Sequence, residues 1–179
     1  MSWNFEIESK CDLFRVTRGI AGSGDELAMQ VTGEPVGEGF VRSPNVTAVV
    51  SGKLRSEYEG HDPYVIEGFG YSCPHHPDQQ VAPAGMAIAV AETPVDYICV
   101  TPKPGKKLDH QWEQLPMRVA NGPDVEPYTF KFRKNVYMVV VDGQVDVNGK
   151  IINKNKIGRG KSFVVDPIVP SIIVFIWER

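Results

Sequence analysis

The sequence has few cysteines and no long apolar run. Its 179 residues include three cysteines, Cys11, Cys73 and Cys99, too few and too odd in number for a disulfide framework, which agrees with a reducing compartment. No stretch has the length of a transmembrane span, and the N-terminus lacks the basic start and apolar segment of a signal peptide. These absences predict a cytoplasmic protein without a membrane partner.

Strong charge and recognisable catalytic motifs are also absent. The net charge is −3 and the pI is about 5.8, so the whole chain has no bias toward nucleic acid or anionic membranes. There is no GxSxG nucleophile motif. The segment GRGKS, residues 158–162, lacks the glycine spacing of a phosphate-binding loop and precedes a predicted strand, where such a loop needs a helix. Neither a serine nucleophile nor a phosphate loop is therefore predicted.

Helical periodicity is weak, whereas turn residues are frequent. The chain contains 17 glycines and 14 prolines, and their regular recurrence is typical of an all-β chain. A hydrophobic content of 42% is enough for one good-sized core. We predict an all-β, antiparallel β-sandwich or jelly roll with at most one or two short helices. It forms a single domain, 1–179, with a softer division between an N-terminal β region, 1–107, and a C-terminal core, 122–179.

Alternating apolar residues and valine-rich runs predict several strands in the N-terminal half. These are an edge strand over 2–8, strands over 12–20 and 45–51, and a strand pair over 87–92 and 96–101. Residues 27–31 fit either a further strand or the start of a short helix. The segment DHQWEQL, residues 109–115, is the best candidate for a short helix.

The C-terminal segment, residues 128–179, carries the clearest strand and turn signals. The run from Val136 to Val141 predicts a strand buried on both faces. Asn148-Gly149 supplies the residues that a type I′ hairpin turn requires, and Gly158–Gly160 predicts a second turn. A last strand is predicted over Ile172–Trp177. Five strands joined by tight turns must pair antiparallel, because no connection is long enough for a crossover.

This segment resembles the cupin superfamily in the order of its strands and turns. The matching residues are YMVVVDGQVDVNGK, IGRGKSFVVDP and SIIVFI. The resemblance places the family's HxH-and-glutamate metal ligands on Tyr128, Phe130 and Asn135, and its last histidine near residues 170–172. None of these side chains is a useful donor for a transition metal. The resemblance therefore implies a degenerate cupin core with no metal cofactor.

The aromatic residues at these positions have two interpretations. Tyr128 and Phe130 are inward-facing core residues of a sandwich, since aromatic side chains dominate core burial. Alternatively, they line the mouth of a barrel that binds a flat or sugar-like ligand without transforming it. In that case the candidate ligand-binding residues are Tyr128, Phe130, Asn135 and Tyr137.

A histidine-containing loop is the one other candidate for chemistry. Within GYSCPHHPDQQ, residues 70–80, the potential metal donors are Cys73, His75, His76 and Asp78. His61 and His110 could complete a site from neighbouring strands. This pattern predicts, as an alternative, a divalent metal such as Zn, Fe or Mn in a cupin-type isomerase or dioxygenase. The competing interpretation is an ordinary exposed proline-rich loop.

Charge is distributed unevenly along the chain. Residues 131–161 contain eight basic and two acidic side chains, whereas residues 1–70 contain eleven acidic and six basic ones. Such a dipole predicts either head-to-tail association of subunits or a protein partner with an acidic surface. A solvated hairpin face is the simpler interpretation. The basic stretch has little aromatic interleaving at its tip, which argues against nucleic-acid binding.

Taken together, these features predict a non-catalytic binding or assembly module that acts as a homo-oligomer. A structural component, for example of a viral particle, and an inhibitor or adaptor of another protein both fit this prediction. Two alternatives stay open: the metal-dependent cupin-type enzyme, and a protein that binds a small metabolite such as a sugar or nucleotide.

Overall fold

The computed structural model describes residues 4–7, 11–68, 70–71, 81–117 and 126–179. The chain divides into two compact units, Met1–Lys106 and Lys107–Arg179. Every regular element in the described ranges is a β-strand, and all strand pairs are antiparallel. The predicted all-β sandwich or jelly-roll class is confirmed. In those ranges no helix has the length and apolar character that crossing a membrane requires.

The described residues of the N-terminal unit form three sheets. Its strands are β1 (Asn4–Ile7), β2 (Phe14–Ala21), β3 (Glu26–Val31), β4 (Glu34–Gly37), β5 (Phe40–Arg42), β6 (Val46–Ser51), β7 (Lys53–Tyr58), β8 (Tyr64–Glu67), β9 (Gly70–Tyr71), β10 (Val81–Pro83), β11 (Gly85–Ala91) and β12 (Val95–Pro102). The five-stranded sheet has the order β1-β2-β12-β6-β9, the four-stranded sheet β3-β11-β7-β8, and the small sheet β10-β5-β4. The predicted edge strand near the N-terminus is confirmed by β1.

The two larger sheets share one hydrophobic cluster. The five-stranded sheet contributes Ala21, Val49, Val95 and Tyr97, and the four-stranded sheet contributes Leu54, Ile66, Ala89 and Ala91. Because side chains alternate between the faces of a strand, this cluster defines one inner face on each sheet. The inner faces of the N-terminal unit are therefore packed against each other, with every second residue pointing inward.

The structure decides one open alternative in this unit and corrects one prediction. Residues 27–31 are part of β3, which confirms the strand over the short helix, because β3 pairs along its length with β11. The strands β11 and β12 exist as predicted, but they do not pair with each other. β11 lies between β3 and β7, and β12 lies between β2 and β6. The short connection over 92–94 therefore carries the chain from one sheet to the other.

In the C-terminal unit, the residues that the structure describes form one six-stranded sheet. Its strands are β13 (Leu108–Leu115), β14 (Tyr128–Asp142), β15 (Gln144–Val147), β16 (Lys150–Asn153), β17 (Ile157–Pro167) and β18 (Ser171–Glu178), in the order β13-β18-β14-β17-β15-β16. One core cluster consists of Leu115, Val136, Met138, Val140, Val145, Val147, Phe163, Val165, Ile173 and Phe175. The residues from Val136 to Val141 are all buried, which confirms the predicted strand buried on both faces.

The turns of this unit are partly as predicted. Asn148 and Gly149 have φ values of 53° and 82° and join β15 to β16, so the predicted hairpin is confirmed. The turn predicted at Gly158–Gly160 is wrong, because Gly158 and Gly160 lie within β17 and pair with Met138 and Val136 of β14. A Cβ at Gly160 would lie 3.4 Å from the Phe163 ring. Glycine at this position therefore lets the Phe163 ring approach the backbone closely, and it does not mark a reversal of the chain.

The short helix predicted over 109–115 is also wrong. These residues form β13, which pairs with β18 from Leu108↔Glu178 to Leu115↔Ser171. The strongly apolar β18 has β14 as its other neighbour, and the pairing with β13 satisfies its remaining backbone groups. Tertiary pairing therefore overrides a weak local helical preference.

Gly143 and Gly149 provide a matched test of steric constraint in this sheet. Both have positive φ, 86° and 82°, but only at Gly143 would a Cβ collide with the Ser171 hydroxyl and the Pro170 carbonyl; at Gly149 no atom lies within 4 Å. We expect Gly149→Ala to cost about 1 kcal/mol through backbone strain. Gly143→Ala should cost roughly 2 kcal/mol more. Urea unfolding of both variants measures the difference, and equal losses would contradict the collision.

Candidate functional site

A cavity of about 420 Å³ lies within the N-terminal unit. This volume falls within the range of small-molecule sites in proteins. Both larger sheets and the segments that precede β6 and β11 contribute to its wall. The described residues that line it are Thr17, Leu27, Ala28, Met29, Gln30, Val31, Thr32, Ser43, Asn45, Thr47, Leu54, Ser56, Tyr58, Ala82, Ala89, Tyr97, Cys99 and Thr101.

Small side chains on β11 leave room for this cavity. Ala87, Ala89 and Ala91 alternate along the strand and are all buried, which places them on the inner face. At the Ala91 end the opposing side chains of the hydrophobic cluster fill the interior. Toward the other end, Ala89 faces Leu27 and Ser56 in register, and the space in front of it is open. The interior is therefore packed at one end and hollow at the other.

The five-stranded sheet contributes a polar wall. Cys99 lies opposite Thr17 on one neighbour and opposite Thr47 on the other, so the three side chains share the inner face. The Thr47 hydroxyl donates a hydrogen bond of 3.4 Å to Cys99 Sγ, and Thr101 Oγ1 lies 3.8 Å from the same sulfur. Three hydroxyl groups and one thiol thus face the cavity from a single sheet.

The four-stranded sheet contributes a mainly apolar wall. Leu27, Met29 and Val31 alternate along β3 and line the cavity together with Leu54 of β7. The register of β3 with β11 places Leu27 opposite Ala89 and Met29 opposite Ala87. Because these alanines are inward-facing, the three β3 side chains point inward too. The cavity therefore has one polar and one apolar side.

Ser56 is the most deeply buried polar residue on the mainly apolar side, to which Tyr58 of the same strand also contributes a hydroxyl group. The Ser56 side chain is 2% exposed and lines the cavity from β7. Its hydroxyl can both donate and accept a hydrogen bond. A polar group of a molecule in the cavity could therefore pair with it.

The cavity wall carries no acidic, basic or imidazole side chain among the residues that the structure describes there. Its hydrogen-bonding groups are hydroxyls, amides and a thiol. Such groups orient a ligand but do not form a pair of groups suited to general acid–base catalysis near neutral pH. The chemistry available at the described wall is therefore recognition by neutral hydrogen bonds and apolar contact.

The ligand-binding residues predicted from the sequence lie in the other unit. Tyr128 and Phe130 share one face of β14 and pack against the core cluster of the six-stranded sheet. Asn135 is exposed. Tyr137 is buried outside that cluster, with the Arg159 guanidinium 5.3 Å from its ring centroid. The structure brings Tyr128 and Phe130 together but not the whole set, and ligand binding by these residues stays a prediction.

The predicted metal ligands are only partly described. His75 and His76, with the loop around them, lie outside the described residues. His61 belongs to the N-terminal unit, where its ring lies edge-on to Phe40 at 5.4 Å between centroids. His110 belongs to the C-terminal unit, on β13, with its ring centroid 6.4 Å from that of Trp112. Within the described ranges no group of three potential metal ligands is found.

The basic side chains between residues 131 and 161 are exposed, as a partner surface or a solvated face requires. Around the irregularity in β14, between Lys131 and Val136, the neighbouring β17 contributes Lys161. Lys134, on the same irregular segment, donates a hydrogen bond to the Glu178 carbonyl. This geometry is compatible with both interpretations of the basic stretch.

Sequence reasoning did not identify the cavity residues. Serines and threonines within strands rank as ordinary strand residues, and no motif joins positions as distant as Thr17, Ser56 and Thr101. The available signal was the alternation of alanines in GMAIAVA, residues 85–91. Small residues at every second position of an otherwise apolar strand indicate that its inner face leaves space.

Comparison with solved structures identifies the fold. The bacterial pirin YhhW from Escherichia coli, solved in complex with nickel(II), is 9% identical with a TM-score of 0.58, over 98% of this chain and 92% of that chain. HutD from Pseudomonas fluorescens is 10% identical with a TM-score of 0.55, and the match covers 93% of this chain and 79% of that chain. A cupin 2 conserved barrel domain protein from Leptotrichia buccalis is 11% identical with a TM-score of 0.51, and the match covers 98% of this chain and 88% of that chain.

These likenesses show that the chain has the fold of the cupin superfamily, which confirms the resemblance seen in the C-terminal segment and extends it over almost the whole chain. No family model matches the sequence. No curated protein matches it at a significant level.

A metal of the cupin type does not fit the residues that the structure describes. The side chains at the resembling ligand positions are Tyr128 and Phe130, which pack in an apolar cluster, and the exposed Asn135. The wall of the N-terminal cavity contributes no imidazole or carboxylate from its described residues. These donor sets lack the nitrogen and carboxylate ligands that a divalent transition metal needs.

Proposed function

We propose that this protein binds a small organic molecule in the cavity of its N-terminal unit and does not transform it. The observation that carries this proposal is the 420 Å³ cavity, with the buried residue Ser56 in its wall. Close packing is the rule in protein interiors, so a hollow of this size, walled by both polar and apolar groups, indicates an occupant.

The two sides of the cavity make different contributions to the free energy of binding. Covering the apolar side chains of β3 and Leu54 contributes about 25 cal/mol per Å² of apolar surface removed from water. The hydroxyls of Thr17, Thr47 and Ser56 fix the orientation of the ligand by hydrogen bonds. Because the strands that carry these groups are hydrogen-bonded on both sides within their sheets, the site is largely pre-formed, which lowers the entropic cost of binding.

Filling the cavity should abolish binding. We expect Ala89→Leu to place three further carbon atoms in the hollow and to lower the affinity of any cavity ligand at least about 100-fold, by direct overlap. The matched control is Val90→Leu, on the same strand but facing away from the cavity. Thermal-shift screening of a metabolite library identifies ligands, since a ligand that binds the folded state raises the melting temperature of the protein. Calorimetry on the two variants then measures the loss of ligand affinity.

The proposal predicts ligands that stabilise the original protein and Val90→Leu but not Ala89→Leu. Circular dichroism establishes that both variants are folded. Ligands that bind Ala89→Leu with unchanged affinity would place the site elsewhere and contradict the proposal, and so would a broad library without a single cavity-dependent ligand.

The assembly role predicted from the sequence stays a proposal beside this one. Homo-oligomer formation and a protein partner with an acidic surface are compatible with the exposed basic side chains of the C-terminal unit. Measurement of the solution mass tests the first. The metal-dependent enzyme is likewise a prediction, tested by zinc, iron and manganese analysis of the protein before and after replacement of His75 and His76 by alanine.

A further inference from the structure

We propose that the cavity selects an uncharged ring compound that carries hydroxyl or carbonyl groups on one face and hydrocarbon on the other. This inference rests on the proposed function and names the class of ligand. It follows from three properties of the wall: the charge of its side chains, the separation of polar and apolar sides, and the position of Ser56.

The first property excludes charged ligands. No lysine, arginine, histidine, aspartate or glutamate contributes to the described wall. An ion covered by this wall loses part of its hydration shell without gaining a counter-ion, which weakens its binding. Phosphates and carboxylates should therefore bind far more weakly than neutral molecules of the same shape.

The second property predicts a molecule with two unlike faces. Thr17, Thr47 and Thr101 lie on the side of the five-stranded sheet, while Leu27 and Met29 lie on the side of the four-stranded sheet. A ring compound with polar substituents on one face can satisfy the threonine hydroxyls and cover the hydrocarbon side chains at the same time. An evenly polar molecule would leave the apolar side poorly covered, and a pure hydrocarbon would offer the threonine hydroxyls no hydrogen-bond partner beyond the Cys99 thiol.

The third property fixes one anchoring hydrogen bond. Ser56 lies in register between Ala89 of β11 and Tyr64 of β8, with its hydroxyl directed into the cavity from the apolar side. A ligand group at the edge of the ring can pair with it as donor or acceptor. Among the lining residues Ser56 is the most deeply buried polar side chain, so we assign it the largest polar contribution to specificity.

Matched pairs of neutral and anionic probes test the class of ligand. Borneol and catechol are neutral rings with hydroxyl groups on one side and hydrocarbon on the other. Camphor-10-sulfonate and 3,4-dihydroxybenzoate are anions with the same ring skeletons, and glucose and glucose 6-phosphate represent an evenly polar ring. Calorimetry should give dissociation constants at least about tenfold lower for the neutral member of each aromatic or terpenoid pair, and weaker binding of glucose than of borneol or catechol.

The role of Ser56 is tested with the same probes. We expect Ser56→Ala to weaken the best neutral probe about tenfold, because the ligand group would lose its buried partner. The matched control is Ser51→Ala, an exposed position at the end of β6, which should leave the affinity unchanged. Ser56→Thr, which keeps the hydroxyl, should retain more affinity than Ser56→Ala.

The outcomes separate this inference from the proposed function. Preference for an anionic probe, with binding abolished by Ala89→Leu, would overturn the uncharged-ligand inference and leave the cavity as the site. Equal binding by the protein and by Ser56→Ala would overturn the assigned anchor. Binding that Ala89→Leu does not affect would overturn the proposed function itself.

Discussion

Replacement of Asp96 by asparagine is expected to lower the free energy of unfolding by about 3 kcal/mol, because it removes a carboxylate that lies against a buried guanidinium. Arg18 of β2 is 2% exposed, and its Nη2 lies 2.5 Å from Oδ2 of Asp96 on the neighbouring β12, which is 22% exposed. A charge so deeply buried cannot recover its hydration when its counter-ion is removed. Urea unfolding followed by circular dichroism measures the loss.

A double-mutant cycle provides the control for this pair. Arg18→Met removes the buried charge and leaves a partly exposed carboxylate, so its cost should be smaller, about 1–2 kcal/mol. The double variant Arg18→Met/Asp96→Asn contains neither charge and should be more stable than Asp96→Asn alone, since the costs of contacting residues do not add. Additive losses would contradict a stabilising ion pair.

The ion pair belongs to the face of the five-stranded sheet that points away from the cavity. Arg18 lies opposite Ile98, whereas the neighbouring Thr17 lies opposite Cys99 and lines the cavity. Because side chains alternate along β2, Thr17 lines the cavity and the next residue, Arg18, lies on the opposite face. Asp96→Asn, studied well below its melting temperature, should therefore bind the cavity ligand with unchanged affinity.

The parts of the fold that the sequence predicts well are those in which local chemistry and tertiary pairing agree. Asn148-Gly149 favours a tight hairpin through its own backbone preferences, and β15 and β16 flank it as expected. The valine-rich run from Val136 to Val141 strongly favours a buried strand, because its side chains are apolar or aromatic and mostly β-branched. In both cases the local signal alone is strong enough to determine the structure.

The parts that the sequence predicts poorly depend on distant neighbours. The segment 109–115 becomes a strand because β18, which is some sixty residues away in the chain, pairs with it. Gly158 and Gly160 stay in an extended strand because β14 lies alongside. The same holds for the site: Thr17, Ser56 and Thr101 meet only after two sheets have packed together, so no local pattern could have joined them.

Replacement of Phe175 by alanine is expected to destabilise the C-terminal unit by about 3–5 kcal/mol, the usual cost of truncating a fully buried phenylalanine. The side chain is 0% exposed. Its ring centroid lies 4.8 Å from that of Phe130, 4.9 Å from Phe132 and 5.2 Å from Phe163. The loss combines the transfer free energy, the cavity left behind and these aromatic contacts.

Two further variants decide what this aromatic cluster does. Val164→Ala, at an exposed position of the same sheet, should cost less than about 0.5 kcal/mol and serves as the control. Phe130→Ala truncates a half-buried member of the cluster and should cost an intermediate amount, about 1–2 kcal/mol. If Phe130 only packs against Phe175, its replacement lowers stability and leaves every ligand affinity unchanged. Loss of ligand affinity in Phe130→Ala, at temperatures where it is fully folded, would instead show that the aromatic residues of β14 form a binding surface, as the sequence alone allows.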